Sequence, residues 1–192
     1  MRATRRWVFW AASALLGVVG APLGKAMAAD MDPAKAQALF DNLRNMALAA
    51  TPDKLGLPPD RVVPGKAYGA LMEFAVDQFT ATLYCAYENT GDAIHVALYT
   101  SSGFMIIGQN WGEPVFRAAR LFVELASDDV AKMAKTDVFP KPIGTAVRFY
   151  ALTDAGVFTV QIDDDEGDWT PLVSAGNDVV TAIRQRVPAA TR

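Results

Sequence analysis

The single cysteine and the single histidine of this chain, Cys85 and His95, lie close enough in sequence to share one β-hairpin. An imidazole beside a thiol can draw off its proton and make a nucleophile, so the pair is the sharpest catalytic idea available. Residues 80–88 and 93–100 alternate as strands, and Asn89-Thr90-Gly91-Asp92 between them tolerates tight-turn dihedrals. Register then decides the chemistry. In one register Cys85 faces His95. In the register shifted by one residue, Cys85 faces Val96, Leu83 faces Leu98 and Tyr87 faces Ile94. The shifted register gathers Leu83, Cys85, Tyr87, Ile94, Val96 and Leu98 on one apolar face. It sends Thr82, Tyr84, Glu88 and His95 to the other, whereas a slip would mix the sets. The expectation is therefore a buried, unreactive Cys85 and no catalytic residue.

Metal chemistry has less support. Zinc sites draw on several Cys or His ligands, and the chain has one of each. The acidic run Asp163-Asp164-Asp165-Glu166-Gly167-Asp168 departs from a calcium loop, with its glycine one place early and no glutamate closing it. It reads as a solvated turn. Neither a Gly-x-Gly-x-x-Gly spacing, nor Gly-Lys-Ser/Thr, nor Gly-x-Ser-x-Gly occurs, so no metal and no cofactor is expected.

Binding candidates are easier to find. Thr100-Ser101-Ser102-Gly103 and Gly108-Gln109-Asn110-Trp111-Gly112 bracket a short apolar strand and lead into a helix. Glycines before a helix can bare backbone N–H groups. Ser101, Ser102, Gly103, Gly108, Asn110 and Trp111 form the candidate binding edge. Trp111 either anchors a partner from an exposed position or folds under and staples the helix start. An alternative polar cluster is Tyr84, His95 and Tyr99 with the Ser101-Ser102 turn, suited to a small-ligand binder or a hydrolase-like enzyme.

The elements that position these residues follow from pattern. Asp32-Pro33 starts a helix whose apolar face is Leu39, Phe40, Leu43, Met46 and Ala47. Four prolines between residues 52 and 64 make an ordered connection. Tyr68, Ala70, Met72, Phe74 and Val76 alternate as a first strand, with Gly69, Glu73 and Asp77 on its other face. Residues 113–133 form the longest amphipathic helix, and 145–152 with 157–162 form a second hairpin. A last helix opens at Thr170-Pro171, and Gly176-Asn177 offers a place to break it. The order is α-β-β-β-(β)-α-β-β-α. It predicts an α+β fold: a five- or six-stranded, mainly antiparallel sheet with helices packed on it. Profilin-like and roadblock-like domains share such an order, an analogy of topology that carries no function.

The N-terminus reads as an export signal. Arg2, Arg5 and Arg6 precede an apolar run over residues 7–20, and Ala26-Met27-Ala28 offers a cleavage site. The run is short beside the ~20 residues of a membrane span. Residues 1–28 are thus expected to be removed. One domain over 29–192 remains, with a helix and Pro-rich connection over 29–65 and the core over 66–187. Thr4-Arg5-Arg6-Trp7-Val8-Phe9 resembles a twin-arginine signal, with Val8 where that pattern prefers Phe; an ordinary Sec signal is the alternative. Either route implies a periplasmic or secreted protein. Losing Arg2, Arg5, Arg6 and Lys25 leaves 14 Lys+Arg against 21 Asp+Glu, a net charge of −7. That field repels nucleic acid and anionic lipid, so neither is expected as a partner once the signal is gone.

Tyr99-Thr100-Ser101-Ser102-Gly103, Ile106-Ile107-Gly108 and Val147-Arg148-Phe149-Tyr150 resemble an uncharacterised family of small bacterial proteins, over roughly residues 68–183. Phe104 and Met105 stand where that family is often Gly. The resemblance implies one compact domain and no activity. A complete globular pattern without a catalytic set points to a non-enzymatic module that binds another protein, such as an inhibitor, immunity-type or accessory protein.

Overall fold

The computed structural model describes residues 31–89, 91–108, 111–163 and 167–186. The expected export signal, Asn110 and residues 164–166 of the acidic run lie outside them. Asp32 caps the first helix, α1 (Pro33–Leu48): its carboxylate accepts from the Ala34 and Lys35 N–H groups. The Pro-rich connection leads into β1 (Ala67–Val76), β2 (Phe79–Glu88), β3 (Ala93–Thr100) and β4 (Met105–Gly108). Then come α2 (Glu113–Asp128), β5 (Ala134–Thr136), β6 (Val147–Thr153), β7 (Gly156–Ile162) and α3 (Thr170–Arg186). The strands form one antiparallel sheet of seven, in the order β4-β3-β2-β1-β6-β7-β5. The α+β class is as expected; the strand number exceeds five or six because both short edge strands join. Ala134-Lys135-Thr136 has no alternation to announce it and is recruited by pairing with β7.

Helices cover both faces. Among the described residues the α2/α3 face carries a buried cluster that includes Met72, Leu83, Cys85, Val96, Leu98, Phe122, Phe149 and Val180. The α1 face carries a smaller one, with Phe40, Leu71, Tyr84, Tyr99 and Tyr150. The register between β2 and β3 sets Cys85 opposite Val96, Leu83 opposite Leu98 and Tyr87 opposite Ile94. It is the register that keeps one face apolar.

Four local expectations need correction. The helix expected over 113–133 ends at Asp128, is followed by a single 3-10 turn over Val130–Lys132, and at 16 residues is one shorter than α3. Tyr68 joins the α1-face cluster instead of continuing the Ala70–Met72–Phe74 face, because a β-bulge between Ala67 and Gly69 re-aims it. Its hydroxyl donates to the Ala50 carbonyl at 2.9 Å. In α1, Met46 is 63% exposed and Arg44 occupies a buried position beside Phe40 and Ala47. Finally, α3 runs unbroken through Gly176. That glycine marks close packing, since a Cβ there would fall 2.5 Å from the Met72 sulfur.

Candidate functional site

The Ser101-Ser102-Gly103 turn is held by its own neighbours. The Ser101 hydroxyl accepts from the Thr80 N–H at 3.0 Å, and the Thr100 and Ser102 hydroxyls lie 2.6 Å apart. Their bonds to neighbouring backbone and to each other order the turn. Gly103 takes a φ of 91°, which favours glycine, and its α-carbon faces α1: an added Cβ would lie 3.2 Å from that of Ala36. The turn thus seats the start of α1 and opens β4.

Trp111 is 6% exposed. Its indole N–H donates to the Gly108 carbonyl at 2.8 Å and lies 3.3 Å from that of Val96. Gly108 packs under the indole ring. The residue therefore folds under and staples the approach to α2, the second of its two expected placements. An exposed anchor is ruled out by this burial.

Tyr84, His95 and Tyr99 share the α1 face. Tyr84 and Tyr99 are buried, and burial pushes both phenols up, far from any use as bases. His95 is half-buried, with ring centroid 5.8 Å from Tyr84 and Nδ1 3.9 Å from a Glu88 carboxylate oxygen. Burial lowers its pKa and Glu88 partly offsets that, so the imidazole is neutral near pH 7. Cys85 is fully buried on the opposite face, and burial raises its thiol pKa steeply. Sheet alternation separates nucleophile from base, and the dyad does not form.

Beneath α1 lies a polar cluster that pattern reading missed. Arg44 Nε donates to Glu73 Oε1 at 2.6 Å and Nη2 to Glu73 Oε2 at 2.9 Å. Arg44 Nη2 also donates to the Phe139 carbonyl at 2.9 Å and the Tyr150 hydroxyl at 3.2 Å. The Tyr150 hydroxyl donates to the Pro140 carbonyl, and Thr82 donates to Glu73 Oε1 at 3.2 Å. Burial works against the Arg44 charge, but its bonds to Glu73 more than restore it, and its pKa ends above the ordinary value. Burial likewise raises Tyr150 to about 12, which keeps it a donor. The cluster ties α1, the sheet and the 137–144 connection together. Glu73 on the polar side of an alternating strand, and Arg44 inside an apolar helical stripe, were its signals. Neither residue alone announces the other.

The two sheet edges differ in kind. Among the described residues β4 pairs only with β3, along Val96–Tyr99, and its Met105, Ile107 and Gly108 are half-exposed. Met105-Ile106-Ile107-Gly108 has no charge and no proline. The far edge, β5, is three residues long and carries Lys135. No group of three His, Cys, Asp or Glu side chains converges as a metal set among the described residues, and no helix there is long and apolar enough to cross a membrane.

No protein-family model, curated protein or solved structure matches the chain.

Proposed function

We propose that this chain is an exported, non-enzymatic protein-interaction module whose partner adds a strand to β4. The carrying observation is the β4 edge: an apolar strand with one side unpaired among the described residues and none of the lysines, prolines or charges that normally guard such an edge. Main-chain groups along it can pair with an extended partner segment, while Met105 and Ile107 offer side-chain contact. The Ser101–Gly103 turn and the Trp111 staple act as its supports, fixing the two ends of β4. The basic leader and its cleavage site support a periplasmic or secreted location, with the partner in the same compartment.

A photo-reactive residue at Ile107 should cross-link one discrete envelope or secreted protein, and the same probe at Lys135 should not. Ile107→Lys should abolish that capture while lowering the melting temperature by only a few degrees, as expected for a loss of about 1 kcal/mol. Equal cross-linking at both edges, or capture that survives Ile107→Lys, overturns the edge. An intact Met1 on protein recovered from the cytosol overturns export.

A further inference from the structure

A groove of about 280 Å³ opens where the Pro-rich connection meets the near ends of β1 and β2, apart from the β4 edge. Its apolar surface comes from Leu57, Val62, Tyr68 and Tyr87, with Arg61 and Lys66 alongside. Leu57 and Tyr68 are buried, and Val63 beside them stands 56% exposed. A groove in which greasy walls meet two cations is shaped for a molecule with an apolar body and one anionic end.

The cations are held lightly. Arg61 lies 3.7 Å from Asp92 and Lys66 lies 2.8 Å from Asp128, with all four side chains about half exposed or more. Exposed pairs of this kind contribute little, so either cation can turn to an incoming carboxylate. The Arg61 stem is placed by Gly91 in the β2–β3 turn. Gly91 has a φ of 82°, and a Cβ there would press to 3.2 Å against the Arg61 side chain. The stem thus lies against the turn, and Arg61 lines the groove beside it.

We propose that this groove binds a small amphipathic carboxylate of medium chain length, its acyl body against Val62, Val63 and Tyr87 and its carboxylate between Arg61 and Lys66. In a chain with an acidic balance, these two cations are what admit an anion to an apolar surface. The site is independent of the strand-addition reading.

The test is a titration of the purified protein with octanoate and, separately, with octanol, followed by amide chemical shifts. Octanoate should give saturable shifts confined to Val63, Lys66, Tyr87 and Gly91. Octanol should bind at least tenfold more weakly. Arg61→Gln with Lys66→Gln should weaken octanoate by tenfold or more and leave octanol unchanged, with the melting temperature as control for folding. Saturation without site-confined shifts, equal binding of octanol, or octanoate binding indifferent to the double substitution overturns the proposal. So does an absence of saturation.

Discussion

On the α2/α3 face, Phe122, Val123, Leu172 and Val180 meet Met72, Leu83 and Phe149 with no charged side chain between them. On the α1 face, Phe40 shares its layer with Arg44 and Glu73, the only buried charged side chains among the described residues. One sheet therefore carries two kinds of interior. The first is held by apolar burial, which is non-directional and scales with area. The second covers less apolar surface and is held by geometry: a two-pronged ion pair that works only when α1 lies in one register over β1. A buried pair contributes little net stability against its desolvation but is costly to break by halves. The helix α1 is therefore positioned by a clamp, while α2 and α3 are positioned by a core.

The largest expected effect comes from splitting the clamp. Arg44→Met or Glu73→Leu alone strands one buried charge and should cost about 3–5 kcal/mol, measured by chemical denaturation. The double substitution should recover most of that loss, because it removes both desolvation costs together. If the double variant is as unstable as the singles, the pair is a stabiliser and the two faces are held alike. Phe122→Ala on the other face should cost a similar ~3–5 kcal/mol through lost burial and a cavity, with no second-site rescue of this kind.

A smaller effect is expected at Cys85. Cys85→Ala should cost about 1 kcal/mol, and the native thiol should react slowly with a labelling reagent that modifies the denatured chain quickly. Fast native labelling would mean that the apolar face opens as readily as the clamped one.

The smallest concerns His95 on the α1 face. Burial holds its folded pKa below the ordinary 6.5 against the opposing pull of Glu88, so the unfolded chain takes up the proton first as pH falls. The stability it contributes is complete above pH 6.5 and declines as the pH drops through that value toward the lower folded pKa. His95→Gln should flatten this part of the stability–pH curve slightly, since the imidazole keeps partial solvent access. An unchanged slope would assign that pH dependence to other groups.

What the sequence made legible is what obeys a period. Alternation alone set the β2–β3 register and separated Cys85 from His95, because a slip would mix the apolar set of Leu83, Cys85 and Val96 with the set that holds Tyr84 and His95. The Asp32 cap and the three helices followed from local rules. What stayed hidden depends on distant partners. Arg44 counts as polar in any helical pattern, so Met46 looked like the core residue until Glu73 was brought beneath the helix. β5 exists only because β7 offers it an edge. Gly176 looked like a break, since nothing near it in sequence reveals the Met72 side chain it admits. The groove joins Leu57 to Tyr87 and Gly91 across β1 and β2, with no motif in either stretch.

Native-state hydrogen exchange across a range of denaturant tests the clamp-and-core account most directly. Amides of Phe40 to Ala47 in α1 should open in a sub-global step, together with the segment around Phe139 whose carbonyl Arg44 holds. That step should have a lower free energy than the one exposing α2, α3 and the central strands, and Arg44→Met should lower it further. If α1 exchanges only by the same global unfolding as α2 and α3, the two faces are one cooperative core and the distinction drawn here fails.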